Sequence, residues 1–300
     1  MAKTAIILSI YNGEKFLKEQ IDSILNQTYR DFDLIIRDDG STDNSLNIVK
    51  EYMKSNLNIK VYAGENIGFI KSFYTLLEIA DEYEYYSFAD QDDYWEKEKL
   101  EYLIKELEKI DVNKPGLVYS SSDYYDENMK FIKKGHIDRN PSFENSLVEC
   151  VSQGMTMMIN RRARDLMIEN KSENSIFHDQ WCYMICTGLG EARYVNRPLV
   201  RYRRLNNSVT AEGKGFISIF KWRIKKLLIG RGLKKFKIQI LDYKKFFYKD
   251  LNNDNKKILD LFTEKYNLKN ALKKCFYLKR FRRKILDEII VRTLFLIGVL

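Results

Sequence analysis

Tyr85-Tyr86-Ser87-Phe88-Ala89-Asp90-Gln91-Asp92-Asp93 runs from a short, aromatic-rich apolar stretch straight into three carboxylates. The first five residues read as a strand. Unpaired carboxylates are too costly to bury, so Asp90, Asp92 and Asp93 must project from the strand's carboxyl end. In open α/β sheets that edge is where ligands sit. Alternating carboxylates there suit a hard divalent cation that bridges a diphosphate. Taken alone, the same residues also read as a solvated acidic turn ahead of the helix that begins near Lys97.

The flanking sequence favours the sheet. Thr4–Ile10 is an apolar, β-branched run, and Phe16, Leu17, Gln20, Ile21, Ile24 and Leu25 then recur at helical spacing. Phe32–Ile36 reads as a second strand, Ser45–Met53 as a helix, Ile59–Tyr62 as a strand and Phe69–Ala80 as a helix. After the acidic loop an amphipathic helix is expected over Lys97–Lys109. Strands and helices alternating at this spacing predict an α/β fold, a Rossmann-like mixed, mainly parallel sheet flanked by helices. Beyond Pro115 the pattern predicts a strand at Leu117–Ser121, a hairpin-like stretch, and Gly154–Ile159. Helices are expected at Arg161–Glu169 and from His178 to about Thr187.

Three hundred residues with 45% hydrophobic content and three prolines support a sizeable core and argue against disorder. The four cysteines show no paired pattern and make no zinc set with His136 and His178, so a reduced compartment is expected. Met1-Ala2-Lys3-Thr4 runs directly into a strand with no secretory pattern, and no apolar stretch reaches the roughly 18 residues that span a bilayer. The net charge of +9 is uneven: Lys214–Leu300 holds 24 Lys and Arg against 7 Asp and Glu. An acidic domain is thus followed by a basic tail, helical in pattern beyond Gly213, with Phe216, Ile219, Phe220, Ile224, Leu227 and Leu228 as one stripe.

Two further acidic features carry chemistry. Asp38-Asp39 follows the second strand, where a carboxylate can accept hydrogen bonds from a base or ribose. The other reading is an Asp-Gly turn with Ser41 and Thr42 as helix caps. Asp179, between His178 and Gln180-Trp181, reads as a cap, or as a general base whose pKa is raised by Phe177, Trp181 and Tyr183.

With these motifs in place, the region from about residue 3 to 210 resembles family 2 glycosyltransferases of the GT-A fold. Ile7-Leu8-Ser9-Ile10-Tyr11-Asn12-Gly13 and Arg37-Asp38-Asp39-Gly40-Ser41-Thr42-Asp43 resemble their nucleotide-binding half, and Phe88–Trp95 their Asp-x-Asp metal motif. The version at Phe88–Trp95 is similar to that of bacterial rhamnosyltransferases of cell-wall and capsule polysaccharide synthesis. His178-Asp179-Gln180-Trp181 resembles the element that supplies the catalytic base there.

The resemblance implies an inverting transfer from a nucleotide-diphosphate sugar, with L-rhamnose from dTDP-rhamnose as the donor sugar, to a lipid-linked saccharide or polysaccharide acceptor. Ser9, Tyr11 and Asp39 would meet the nucleobase and ribose, and Asn66, Gly68 and Lys71 would line the donor pocket. Asp90 and Asp92 would handle the ribose and a Mg²⁺ or Mn²⁺ ion on the diphosphate, Asp92 as the direct metal ligand, and Asp179 would deprotonate the acceptor. Where the family has Tyr-Arg-x-His, this chain has Tyr202-Arg203-Arg204-Leu205. Arg201, Arg203 or Arg204 would then neutralise the diphosphate in place of the histidine.

The expected organisation is a catalytic domain over residues 1–210 and a basic helical tail over 211–300. The tail's charge alone suits nucleic acid. Its interleaving of lysines with Phe, Ile and Leu suits an anionic membrane surface better, and plain packing on the catalytic domain is the third reading. With a lipid-linked acceptor, this places the protein in the cytoplasm, peripheral at the inner face of the bacterial plasma membrane. Rival functions are the same fold using a UDP-sugar (galactose, glucose or an amino sugar) and a non-catalytic nucleotide- or polysaccharide-binding module. A nucleotidyltransferase would need a glycine-rich phosphate loop that Ser9–Gly13 is not, and glycoside hydrolysis leaves the nucleotide loop unexplained.

Overall fold

The computed structural model describes residues 3–135, 141–172, 177–205 and 232–298. The first half is built from β1 (Thr4–Ile10), α1 (Leu17–Leu25), β2 (Phe32–Asp38), α2 (Ser45–Met53), β3 (Ile59–Ala63), α3 (Phe69–Ile79) and β4 (Tyr85–Ala89). Then come β5 (Tyr94–Trp95), α4 (Lys99–Leu107), β6 (Gly116–Tyr125), β7 (Phe131–Lys133) and α5 (Phe143–Ser146). β8 (Met157–Asn160), α6 (Arg161–Glu169), α7 (His178–Leu189) and β9 (Glu191–Arg203) follow.

The described strands form one sheet of order β3-β2-β1-β4-β8-β6-β9-β5, with β7 paired to β6. Its long registers, β1 with β2 and β4, β2 with β3, and β6 with β9, are parallel. The antiparallel pairings span only two or three residues each. A parallel sheet is covered on both faces, which is why β1 is apolar at nearly every position. Ala5 and Ile7 pack with α3, α6 and α7, whereas Ile6, Leu8 and Ile10 pack with α1, α2 and α4.

The topology sets the site. From β1 the chain winds outward through β2 and β3, then returns to place β4 on the other flank of β1. Such a reversal opens a crevice at the carboxyl edge. In register, Ile10 lies beside Asp38 and Leu8 beside Ala89. The Asp38-Asp39 and Asp90–Asp93 loops therefore emerge on either side of the end of β1.

The long strand β9 is not signalled by the apolar pattern. It runs parallel to β6, and the register slips where Ser121 faces Pro198 and Ser122 faces Val200. Proline inside a sheet is confined to such irregularities. The stripe Phe216–Leu228 lies outside the described residues. What is described of the C-terminal region is four helices, α8 (Gly232–Phe247), α9 (Asn253–Thr263), α10 (Leu268–Cys275) and α11 (Ile285–Leu296). They pack on the α/β unit. Tyr243, Phe247, Phe262, Phe281 and Phe295 are buried in the same apolar cluster as Trp181 and Tyr183 of α7. Side chains of this size contribute about 1.5–3 kcal/mol each on burial. Among the described residues, no helix is long and apolar enough to cross a membrane.

Candidate active site

A cavity of about 740 Å³ opens at the carboxyl edge of the sheet. Ser9 and Tyr11 from the end of β1, Asp39 after β2, Asp90 and Asp92 after β4, and Asp179 at the start of α7 all line it. These residues are far apart in sequence. The topology brings them together because β1, β2 and β4 share one carboxyl edge, and because α7 packs on the same face of the sheet as α3.

The nucleotide-side loops are cross-braced. The Ser9 hydroxyl donates to Ser72 Oγ at 2.6 Å. Asp39 is buried, pairs with the Arg37 guanidinium, and accepts the Ile67 and Gly68 backbone N–H groups at 2.9 Å each. It thus ties the loop after β3 to the cavity wall. Gly68 has φ +83°, a left-handed conformation that favours glycine, and it starts α3. Asn66, Gly68 and Lys71, expected to line the donor pocket, are all exposed and are not among the residues that line the cavity.

Gln91, the middle residue of the acidic motif, grips the Tyr11 backbone. It accepts the Tyr11 N–H at 2.8 Å and donates to the Tyr11 carbonyl at 3.1 Å. A Cβ at Gly13 would lie 2.4 Å from Gln91 Oε1, so glycine there lets the grip form. The Tyr11 ring is left half exposed at the cavity mouth.

The acidic loop sits on a buried lysine. Lys99 is fully buried, with Nζ 3.3 Å from Ser87 Oγ and 3.0 Å from the centre of the Trp95 ring. Burial lowers its pKa well below the ordinary value, and the charges of Asp93 and Asp90 oppose this. Asp90 shifts upward, first through burial and then through the charges of Asp92 and Asp179, with Lys99 opposing. Burial also raises Asp92. Crowded, desolvated carboxylates of this kind are the hard oxygen donors that a divalent cation takes, so Asp90 and Asp92 fit Mg²⁺ or Mn²⁺. Among the described residues, no group of three or more His, Cys, Asp or Glu side chains is placed to hold a metal. A cation here would complete its shell with substrate oxygens.

Asp179 accepts the Gln180 N–H at 2.7 Å. Burial pushes its carboxyl up to about 6, against the hydrogen bonds of the Gln180 and Gly154 backbones. Next to it, the His178 ring lies 4.3 Å from Phe73 and 5.0 Å from Phe88, centre to centre. Neither ring nitrogen of His178 finds a hydrogen-bond partner among the described residues, and burial lowers its pKa to about 3. It is a neutral ring that wedges the helix start against β4.

The arginines of β9 correct one expectation. Side chains alternate along a strand. Tyr202 points into the cavity, and Arg201 and Arg203 point away from it. Arg203 is buried behind the acidic loop. It donates from Nε to the Asp92 carbonyl at 2.8 Å, pairs with Glu19, and bonds the Glu127 carbonyl. Arg201 makes two bonds to Glu96, at 2.6 and 3.3 Å. Arg204 does not line the cavity either. Arg203 therefore buttresses the acidic loop and does not face a diphosphate. Leu205, at the histidine position, does line the cavity.

Sequence reasoning missed the opposite wall: Tyr119, Tyr124, Tyr194 and Tyr202, with serines 120–122 between them, and Arg283 from the C-terminal helices. Nothing local marks Arg283.

Residues 5–165 match the family described as glycosyl transferase family 2. The chain is 30% identical over 232 residues to the dTDP-rhamnosyl transferase RfbG of Shigella flexneri, covering 71% of this chain and 77% of that one. It is 27% identical over 211 residues to the putative teichuronic acid biosynthesis glycosyltransferase TuaG of Bacillus subtilis, covering 69% and 81%. Among solved structures, S. aureus TarS in complex with UDP-GlcNAc superposes with a TM-score of 0.61 over 99% of this chain and 81% of that one. At 18% identity that likeness speaks to the fold alone, and it agrees with the GT-A-type α/β architecture expected from the sequence. The sheet, the acidic edge and the sequence match converge, and the chain belongs to glycosyltransferase family 2.

Proposed function

We propose that this protein is an inverting glycosyltransferase that moves L-rhamnose from dTDP-rhamnose to a hydroxyl of a lipid-linked saccharide or polysaccharide in bacterial surface polysaccharide synthesis. The observation that carries the reading is the meeting of Asp39, Asp90, Asp92 and Asp179, from three separate segments, in one cavity. The choice of sugar is supported by the RfbG similarity, and the polysaccharide acceptor by the TuaG similarity.

In this reading Ser9, Tyr11 and Asp39 form the nucleoside end, with the half-exposed Tyr11 ring as a stacking face. Asp92, helped by Asp90, would hold Mg²⁺ or Mn²⁺. When bound, such a cation neutralises charge that develops on the departing diphosphate. Asp179 takes the proton from the acceptor hydroxyl as its oxygen bonds to the anomeric carbon. The bond from that carbon to the phosphate oxygen breaks, and the nucleoside diphosphate leaves. A single displacement inverts the configuration. With a pKa near 6, Asp179 is mostly ionised at neutral pH and still basic enough to accept a proton.

The C-terminal helices would rest on the membrane that carries the acceptor. Leu268, Leu272 and Phe276 of the α10 segment, and Ile285, Ile289 and Leu296 of α11, are exposed, with exposed Lys265, Lys269, Lys273 and Lys284 beside them. Apolar faces bordered by lysines suit an anionic lipid surface. The division into a catalytic part to about residue 210 and a docking part beyond it belongs to the same proposal.

Turnover with a panel of dTDP-rhamnose, UDP-sugars and GDP-mannose, each with and without Mg²⁺ or Mn²⁺, tests the reading. Metal-stimulated use of dTDP-rhamnose, with an inverted product by NMR, is expected. Preference for a UDP-sugar would overturn the rhamnose assignment and keep the mechanism. Binding without turnover on any donor and acceptor would favour a binding module.

A further inference from the structure

Apart from the neutral His178, the ionisable wall of the cavity is chiefly acidic, yet a nucleoside diphosphate brings two phosphates into it. Among its described lining residues, Arg283 is the sole lysine or arginine. It comes from the corner between α10 and α11, far beyond the segment that matches the family, and that corner is rigidly built. Phe281 is fully buried, with ring centres 5.6 Å from Phe262 and 5.2 Å from Phe295. The Phe281 and Arg282 N–H groups both donate to Glu288 Oε2, at 3.0 and 2.6 Å. The Phe281 carbonyl accepts from Asn145 Nδ2 at 2.7 Å.

Arg283 is aimed by Glu149. Its backbone N–H donates to Glu149 Oε2 at 2.9 Å, and its Nε lies 3.5 Å from Glu149 Oε1. Arg282 adds a second, longer pairing to the same carboxylate, at 3.8 Å. Cys150, the next residue after Glu149, lines the cavity together with Asp179 and Arg283.

We propose that Arg283 is a substrate-phosphate-binding residue of this cavity, so that the C-terminal helices complete the active site as well as packing against it. The proposal rests on the glycosyl-transfer reading above. A guanidinium matches phosphate oxygens in a fork that a lysine cannot reproduce. The diphosphate it meets belongs either to the nucleotide donor or to a lipid-linked acceptor, and the two sources are separable.

Full-length wild type, Arg283→Gln and Arg283→Lys are titrated calorimetrically with dTDP and UDP in Mg²⁺, and with farnesyl diphosphate as the probe for a prenyl-diphosphate acceptor. The expected result is at least a tenfold loss of affinity for one class of probe in R283Q, part of it restored in R283K, with the melting temperature within about a degree of wild type. Loss for dTDP or UDP assigns Arg283 to the donor, and loss for farnesyl diphosphate alone assigns it to the acceptor. Unchanged affinity for both classes, where wild type binds the nucleotide, overturns the Arg283 assignment and leaves the functional reading standing. A loss accompanied by a large fall in melting temperature in both variants makes Arg283 a structural residue and overturns it too. Absence of nucleotide binding by wild type overturns the functional reading, and this inference with it.

Discussion

Gln91 holds Tyr11 by both halves of its peptide environment, accepting the Tyr11 N–H at 2.8 Å and donating to its carbonyl at 3.1 Å. The end of β1 and the acidic loop after β4 are thereby locked into one rim. In the proposed function Tyr11 would offer the stacking face and Asp90 and Asp92 the metal-binding oxygens, and the clamp would then fix the distance between the nucleoside and diphosphate ends of a donor.

Gln91→Ala removes both bonds and leaves two backbone groups near solvent. At about 0.5–1.5 kcal/mol net per hydrogen bond, nucleoside diphosphate affinity should fall by up to roughly 5- to 150-fold. The melting temperature should move little, because the clamp lies at the surface of the cleft. Calorimetric titration with dTDP and UDP, beside a thermal melt, checks this. An unchanged dissociation constant would show that the rim keeps its spacing without the clamp.

Asp90→Asn should make the free protein more stable while removing its activity. Burial, then the Asp92 and Asp179 charges, raise the Asp90 pKa. An acid whose pKa is raised on folding is better protonated in the folded state, so stability is lost as pH rises through its folded pKa. The neutral amide removes that cost. The gain, on the order of 1 kcal/mol as for other relieved active-site strain, should be largest near pH 8 and shrink towards pH 5. Urea unfolding at three pH values measures it, and a variant no more stable than wild type at pH 8 would refute the crowding argument.

Much of the fold was legible because parallel strands are covered on both faces. Thr4–Ile10, Ser45–Met53 and Tyr85–Ala89 read as they fold, bounds included. β9 was not, since Arg193, Arg197, Pro198 and Arg201 interrupt any apolar pattern and the strand is held through its register with β6. In the site, Asp90 and Asp92 were visible because they follow an apolar strand and reach its carboxyl edge; Asp93, expected there too, is instead fully buried and accepts the Arg203 N–H at 3.0 Å. The error on Arg203 came from reading a run of arginines without the alternation of its strand, which turns Tyr202 into the cavity and Arg203 away from it. Arg283 was beyond local reading, because only tertiary packing of the α10–α11 corner brings it to the cavity.

His178 makes the protein sensitive to acid. Its folded pKa is lowered to about 3 by burial, against an ordinary value of 6.5. The unfolded chain therefore binds a proton below about pH 6.5 that the fold refuses, and stability is lost as pH falls from there towards 3. The slope is about 1.4 kcal/mol per pH unit for one such group. His178→Phe keeps an aromatic ring against Phe73 and Phe88 and removes the titration. The difference in unfolding free energy between wild type and H178F should therefore grow in the variant's favour from pH 7 to pH 5. A difference independent of pH would mean that the histidine is protonated in place.

Asp179→Asn separates chemistry from binding. The amide keeps the size of the side chain and its hydrogen bond from Gln180, and it cannot accept the acceptor's proton. General-base catalysis is worth about 10²- to 10⁴-fold, so kcat should fall by that factor while the dissociation constant of dTDP or UDP stays within a few-fold. Because the base must be ionised, wild-type kcat/KM should fall on the acid side with an apparent pKa near 6, the value that burial gives Asp179. In D179N the residual rate should lose that limb. Asp90 also titrates upward in the free protein, so the profile is to be taken at saturating Mg²⁺, where a bound cation holds its carboxylate ionised. A wild-type profile flat from pH 5 to 8, or a D179N variant with full kcat, would remove Asp179 from the proton transfer and leave the base to be sought elsewhere on the cavity wall.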